Sequence, residues 1–123
     1  MTLTTSYLSQ RITSMKAATD TAFTHGAVGH GTSTPTAGDT ALQNEDLRVA
    51  RNSFDSSVVD KITGSFIIGY SQDNGVNIAE CGWFNDPTAG TMWVRNKLSS
   101  AIAKTSDLQV YIDTEVTFTD EEM

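Results

Sequence analysis

His25, His30, Cys81 and Glu80 are the residues of this chain whose types and positions first suggest chemistry. His25 and His30 lie five positions apart in a stretch rich in glycine, threonine and proline. A histidine pair ligates zinc when further His, Cys or carboxylate ligands follow at a short spacing, and no such ligand follows here. We therefore expect two exposed loop histidines and no metal site.

The single cysteine, Cys81, directly follows Glu80 in a stretch that alternates like a strand. A thiol acts as a nucleophile when a neighbouring base or cation lowers its pKa, and His25 or His30 would have to supply that base. Because a cysteine inside a strand is more often buried and inert, we expect a structural thiol.

Sequence motifs of familiar catalytic chemistry are missing as well. The chain contains no nucleophile elbow, no H-E-x-x-H, no CxxC and no paired-carboxylate constellation. Gly26, Gly29 and Gly31 follow the order G-x-x-G-x-G, which matches neither the dinucleotide fingerprint nor a Walker loop. We expect a protein that is not an enzyme, with no catalytic residues and no cofactor.

Glu80 is expected to have a structural role instead. It alternates with Ile78 and Phe84, so its carboxylate points into partly buried space and needs a partner there. Arg95, on the strand that follows, is the candidate. We predict a structural ion pair between Glu80 and Arg95.

Composition limits the classes of partner. The chain has 123 residues, a formal net charge of −7 and a pI near 4.5, which argues against direct binding to nucleic acid or to an anionic membrane. The negative charge is concentrated in residues 53–123. One cysteine excludes an intramolecular disulfide. No apolar run approaches the length of a membrane span, and no secretory signal is visible, so we expect no membrane insertion and folding in a cytoplasm.

The element that organises the chain is the stretch from Val76 to Leu98, which reads as two strands around a turn. Residues 85–90 have the composition of a loop, with a proline that presets a turn and a glycine that accepts a positive φ. Trp83 and Trp93 lie on the two strands and either stack sugars on an exposed face or belong to the core or a subunit interface.

The other segments also favour strands. A short strand is expected around Ala27 and Val28, and the alternation in residues 53–70 predicts a central strand. Residues 41–52 fit either a helical turn or an irregular strand, residues 72–75 a turn, and residues 99–107 a polar connection. Residues 108–119 alternate almost perfectly, as in a half-buried strand, and only Thr114 interrupts the apolar side.

The N-terminal segment has helical spacing. Leu8, Ile12 and Met15 recur at steps of three and four, and Thr5 or Ser6 could cap the start. Residues 1–22 are therefore expected to form a helix that packs on the sheet, or an arm that contacts a neighbouring subunit. Together the patterns predict a mainly β chain, a small antiparallel β-sandwich that is jelly-roll-like and spans residues 23–119, with an N-terminal helix and an acidic tail at residues 120–123.

The order of several short motifs resembles a recurring element of tailed-virus virion proteins. That element reads roughly h-x-A-V-G-x-G-T-x-x-P-x-x-x-D-T-x-L-x-x-E, and this chain has HGAVGHGTSTPT at residues 25–36, DTAL at residues 39–42 and Glu45. The resemblance continues through ECGWF at residues 80–84, GTM at residues 90–92, Arg95, IAK at residues 102–104 and the final alternating strand. It covers most of residues 25–118 in the same order.

The resemblance implies a phage-like minor structural or tail-fibre-type protein of a virus of bacteria or archaea, without catalytic residues. We expect a virion protein, assembled in the host cytoplasm, that forms a trimer or ring and docks on other virion proteins as a capsid-decoration, turret or tail-appendage component. The alternative is a receptor- or carbohydrate-binding module of a tail fibre. The candidate docking residues are Trp83, Asn85, Asp86, Pro87 and Trp93.

Overall fold

The computed structural model describes residues 20–57 and 61–117, which are mainly β and form two antiparallel sheets. The strands are β1 (His25–Gly29), β2 (Glu45–Ala50), β3 (Ser53–Asp55), β4 (Lys61–Ile68), β5 (Asn77–Phe84), β6 (Met92–Ala103) and β7 (Val110–Thr117). Residues 20–22 are helical. The rest of the predicted N-terminal helix, and the predicted acidic tail at residues 120–123, lie outside the described residues.

The strand order is β2-β1-β5-β6 in the first sheet, called sheet A, and β3-β4-β7 in the second, called sheet B. Three of the pairings join strands that are consecutive in the chain, β1 with β2, β3 with β4, and β5 with β6. The chain changes sheet in the connections β2–β3, β4–β5 and β6–β7. The edge strands of the described sheets are therefore β2 and β6 in sheet A, and β3 and β7 in sheet B.

The two sheets share one core. Its buried side chains are Ala22, Phe23, Val28, Ile62, Phe66, Ile68, Ile78, Cys81, Trp83, Val110 and Ile112. Trp83 of sheet A stacks on Phe23, with ring centroids 5.3 Å apart, and meets the edge of Phe66 of sheet B at 5.1 Å. Its indole Nε1 donates a hydrogen bond of 2.9 Å to the Thr114 hydroxyl on β7. That bond explains why a polar residue interrupts the apolar side of β7, because a buried indole N–H needs an acceptor.

Two differences from the predicted pattern lie in the central hairpin. The pairing of β5 with β6 shifts register between Ile78 and Glu80, so Ile78 faces the core together with Cys81 instead of sharing the side of Glu80. A bulge adds one residue to one strand and so reverses the alternation beyond it. The predicted polar connection at residues 99–107 is also wrong in its first part, because β6 continues to Ala103, where it pairs with Asn77.

The remaining segments resolve the alternatives left by the sequence. Residues 45–50 form a strand and not a helical turn, and β4 is the central strand of sheet B, as predicted. The turn predicted at residues 72–75 is present, with positive φ at Asp73 (55°) and Gly75 (85°), but it connects the two sheets and does not close a hairpin. In the part of the chain that the structure describes, no helix is long and apolar enough to cross a membrane.

Candidate docking site

The carboxylate of Glu80 is fully buried and holds the long loop between β1 and β2. Glu80 is 0% exposed. Its oxygens accept hydrogen bonds from the backbone N–H groups of Gly31 (2.8 Å), Gln43 (2.9 Å) and Asn44 (2.8 Å). Both ends of the loop at residues 30–44 are thereby fixed to β5.

The guanidinium of Arg95 completes the arrangement. Its side chain is 3% exposed, and its Nε donates to Glu80 Oε1 at 3.0 Å, so the ion pair predicted from the sequence is present. The same guanidinium lies 3.0 Å from Asp39 Oδ2 and donates to the carbonyl and hydroxyl oxygens of Ser33, each at 3.0 Å. Asp39 in turn accepts bonds from the backbone N–H and the hydroxyl of Thr36. We call this set, with the three loop N–H donors, the Glu80 network.

The Glu80 network keeps its acids ionised. Burial alone would raise the pKa of Glu80, but the bonds from the Asn44 and Gln43 backbone, the Arg95 guanidinium and the Gly31 backbone outweigh it, and the pKa lies below its ordinary value of 4.5. The pKa of Asp39 is lowered mainly by the two bonds from Thr36, with a contribution from Arg95. Two carboxylates therefore share one guanidinium at neutral pH.

The loop at residues 30–44 lies so close to the sheet that glycine is required at Gly29, the last residue of β1, and at Gly31 in the loop. A Cβ at Gly29 would collide with the carbonyl oxygen of Asn44, and a Cβ at Gly31 would collide with Glu80 Oε2. Leu42, 6% exposed, adds an apolar contact, since it forms a second small cluster with Ala27, Phe84 and Met92. The loop is thus packed on the sheet by both polar and apolar contacts.

A second arginine holds the loop between β5 and β6. The guanidinium of Arg48 lies 3.6 Å from the centre of the Phe84 ring and is paired with the carboxylate of Glu45 at 2.8 Å. It donates to three backbone carbonyl oxygens of the loop, those of Asp86 (3.0 Å), Thr88 (3.1 Å) and Ala89 (2.6 Å). We call residues 30–44 and 85–91, each held by an arginine of sheet A, the loop platform.

The docking residues predicted from the sequence separate into two groups. Asn85 and Pro87 are exposed on the loop platform, Asp86 is half-buried there, and Trp93 on β6 is 54% exposed. Trp83 is 1% exposed, so the prediction that it belongs to a docking surface is wrong. Cys81, two residues earlier on β5, faces the same core. Alternation shows which residues share a face of a strand, but it does not show which face is buried.

The remaining candidates for chemistry have structural surroundings. His25 lies on β1, not in a loop, with Nδ1 2.9 Å from the Thr24 hydroxyl, and exposed His30 has Nδ1 2.9 Å from Asp46 Oδ2. Among residues 20–57 and 61–117, no group of three His, Cys, Asp or Glu side chains is placed to hold a metal ion. Burial, with the nearby charge of Glu80, raises the pKa of the Cys81 thiol to about 11, so the thiol is protonated at neutral pH.

Sequence reasoning missed one unusual residue, Asp73, in the connection between β4 and β5. Its Oδ2 atom is buried and finds no hydrogen-bond partner among the described residues. Burial raises the pKa of Asp73, and the charge of Asp46 adds to the effect. The neighbouring Lys104, 1% exposed, donates instead to Asn74 Oδ1 at 2.8 Å and to the Thr105 carbonyl at 2.9 Å. The signal in the sequence was an aspartate at a turn position that requires a positive φ.

No family model, no curated protein and no solved structure matches this chain.

Proposed function

We propose that this chain is a structural protein of a tailed-virus particle, a capsid-decoration, turret or tail-appendage component. It acts by docking on other virion proteins and by associating with copies of itself, inside a particle assembled in the host cytoplasm. No catalytic step is part of the proposal. The support comes from where the fold places the residues of the motif series.

One observation carries the proposal. The motif residues Gly31, Asp39, Glu80 and Arg95 are spread over much of the chain, yet they meet in the Glu80 network. Leu42, also in the series, packs beside them. Several residues of the ordered motif series, which resembles a series in virion proteins, therefore contribute to one structural feature, a loop fixed on a sheet.

A rigid loop platform suits docking better than chemistry. Binding residues tend to sit on loops that a scaffold holds in place, since a preordered loop loses little conformational freedom on binding. The exposed residues of the first loop are mostly small, Thr32, Ser33, Thr34, Thr36, Ala37, Gly38, Thr40 and Ala41. Small side chains permit the close approach of a flat protein surface.

We also infer that the two sheets form a small β-sandwich. The shared core, with contacts of Trp83 to Phe66 and Thr114 across it, supports face-to-face packing. Consecutive strands pair within a sheet as hairpins three times, and we therefore favour a sandwich of hairpins over the jelly-roll-like order.

The test is uptake into particles by a variant with two bulky cations on the platform, Thr34→Arg with Pro87→Arg. Both positions are exposed, as are Ser71 and Gln109, where Ser71→Arg with Gln109→Arg makes the control with the same change of net charge. We expect the platform variant to lose at least about tenfold in affinity for particles, since an interface core tolerates few buried charges, while the control binds as the parent does.

Both variants should keep the circular dichroism spectrum and the melting temperature of the parent. If the folded platform variant enters particles at full occupancy, the loop platform is not the docking surface. If the unaltered protein does not bind virus particles at all, the proposed function is wrong.

The alternative, a receptor- or carbohydrate-binding module, is favoured by one observation, the exposed ring of Trp93. An exposed tryptophan can stack on a sugar. Glycans of the host envelope would then quench or shift the fluorescence of Trp93, and Trp93→Ala would abolish binding. Tyr70→Ala is the control, because Tyr70 is exposed to a similar extent, 57%. Binding with this pattern would favour the alternative over docking on virion proteins.

A further inference from the structure

The side of the molecule where β6 and β7 lie together carries a groove of about 340 Å³. Cys81, Leu98 and Ile112 contribute apolar surface, and Tyr111, Asp113 and Glu115 contribute a polar and acidic side. Both β6 and β7 are edge strands among the described strands, so each has a free side to its backbone ladder. Apolar surface between two such edges can receive the apolar face of an amphipathic helix.

The N-terminal segment joins the fold at the other side of the molecule. Arg51 follows β2 and binds Asp20, the first described residue, through its carboxylate (2.7 Å) and its carbonyl oxygen (2.9 Å). The same guanidinium lies 4.9 Å from the centre of the Phe54 ring on β3. Since β2 and β3 are the edges opposite β6 and β7, Asp20, where the described fold begins, lies on the side away from the groove.

The composition of residues 1–19, called the arm, matches the groove. The arm contains Arg11 and Lys16 and no acidic residue, whereas the whole chain has a net charge of −7. Leu8, Ile12 and Met15 recur at helical spacing, and on a helix the two cations would lie on either side of that apolar stripe. An apolar stripe between two cations is complementary to apolar surface beside Asp113 and Glu115, although Glu115 also pairs with Lys61 at 3.4 Å.

We propose that the groove between β6 and β7 receives the arm of a second copy of this chain. The arm as a helix would be about 28 Å long, enough to extend to a neighbour. To reach its own groove the arm would have to cross a sheet. The outer face of sheet A is covered by the loop platform, and that of sheet B carries polar residues such as Lys61 and Thr63. Neither route offers the arm's apolar stripe a comparable surface.

Because the groove and Asp20, to which the arm is joined, lie on opposite sides, the proposed contact is head to tail. A repeated head-to-tail contact closes into a trimer or ring when the rotation between copies permits it. The inference deepens the proposed function, on which it rests for its biological setting, by naming the partner surface for self-association. Its test needs only the purified chain.

Sedimentation velocity at micromolar concentration tests the contact with charge-matched variants of the full chain. Arg11→Gln with Lys16→Gln neutralises the arm, and Gln10→Glu with Thr13→Glu changes the net charge equally on the opposite side of the helical pattern. Asp113→Lys reverses the groove, and Asp107→Lys, at an exposed residue outside the groove, is its control. We expect the parent and both controls to form a closed oligomer, and the arm and groove variants to dissociate at least tenfold more readily.

The decisive measurement is a mixture of the arm variant with the groove variant. The groove variant retains an intact arm and the arm variant an intact groove, so one contact remains possible and the mixture should form a one-to-one dimer. The inference is overturned if the mixture stays monomeric, as docking of each arm on its own groove would require. It is also overturned if either single variant oligomerises like the parent.

Circular dichroism confirms that each variant is folded, and Asp113→Asn replaces Asp113→Lys if the lysine variant is not. Uptake into virus particles is measured separately with the monomeric variants, which keep the loop platform. The two readouts are independent. Protein that oligomerises as expected but does not bind particles contradicts the proposed function, and protein that binds particles but does not oligomerise as expected contradicts this inference.

Discussion

At the scale of single residues, the buried charge of Glu80 matters most. A carboxylate removed from water is tolerated only when donors surround it, and here three backbone N–H groups and the Arg95 guanidinium do so. The sequence predicted the Glu80–Arg95 pair. Alternation placed the Glu80 carboxylate in partly buried space, and the strand that follows the turn carries Arg95. The sequence could not predict the second acid, Asp39, because a loop distant in sequence approaches Arg95 only after the chain has folded.

Glu80→Gln should therefore destabilise the protein strongly. The amide has the size of the carboxylate, but it leaves Arg95 facing a neutral group and replaces an acceptor oxygen by a donor nitrogen that meets backbone N–H groups. Breaking a buried pair in this way costs about 3–5 kcal/mol. Urea unfolding measures the change, with Glu115→Gln as control, because the Glu115 side chain is 57% exposed and should change stability by about 0.5 kcal/mol or less. Equal stabilities would mean that Glu80 does not fix the loop.

The same carboxylates predict how stability depends on pH. The pKa of Glu80 is lower in the folded state than its ordinary value of 4.5, and the pKa of Asp39 is also lowered. Their contribution is complete above pH 4.5 and is lost as the pH falls through the folded-state values. The free energy of unfolding of the parent should thus decline below pH 4.5. Glu80→Gln should show a flatter profile over that window, and a profile as steep as the parent's would contradict the assignment.

For Asp73 we expect a dependence of stability on pH with the opposite sign. Its pKa is raised by burial, so the charged form destabilises the folded state at neutral pH, and the penalty disappears as the pH falls below the ordinary value of 3.8. Asp73→Asn removes the charge, and asparagine accepts the positive φ of 55° at this position. We expect a stabilisation on the order of 1 kcal/mol at pH 7 that vanishes in acid. Asp107→Asn, at an exposed carboxylate, should leave the melting temperature unchanged.

At the scale of elements, the alternation of residues predicted strands well and their irregularities poorly. The β5–β6 hairpin, the central strand β4 and the half-buried strand β7 all follow from period-two patterns. The register shift between Ile78 and Glu80 carries no such signal, because it depends on the partner strand. The sequence also missed the extension of β6 to Ala103, because polar residues on an edge strand resemble a loop.

The β5–β6 loop offers a prediction at this scale. Arg48 binds three loop carbonyl oxygens while its planar group lies on the Phe84 ring, and a lysine ammonium cannot reproduce that fork or the stacking. Arg48→Lys should therefore raise amide hydrogen exchange in residues 86–91, with strands β4 and β7 unaffected. Lys97→Arg is the control on β6, the opposite edge strand of sheet A, where the side chain is exposed. Unchanged exchange in the loop would mean that the turn residues alone define its conformation.

At the scale of the whole molecule, the fold separates three surfaces. The loop platform lies on one face of sheet A, Asp20 is bound at the β2–β3 side, and the groove lies at the β6–β7 side. Composition and residue patterns together predicted one acidic, mainly β unit, but they could not place these surfaces, because sheet order is a property of long-range pairing. Under the proposed function, this separation would leave the platform free for a partner when the arm and the groove join copies of the chain.

The final prediction concerns the rate of docking on a virus particle. The net charge of −7 is concentrated in residues 53–123, which include the β5–β6 loop of the platform, so we expect the partner surface to be basic. Charges of opposite sign at a distance accelerate encounter more than they tighten a finished complex, and salt screens them over about 10 Å at 0.1 M. The association rate with immobilised particles should fall severalfold as salt rises from low to moderate concentration, while the dissociation rate changes by less than about twofold. The neutralising variant Asp86→Asn should reduce the salt dependence of association, and Asp107→Asn, away from the platform, should reduce it less. If salt instead leaves association unchanged and slows dissociation, apolar contacts dominate the docking surface, and the acidic balance of the chain has no part in steering it.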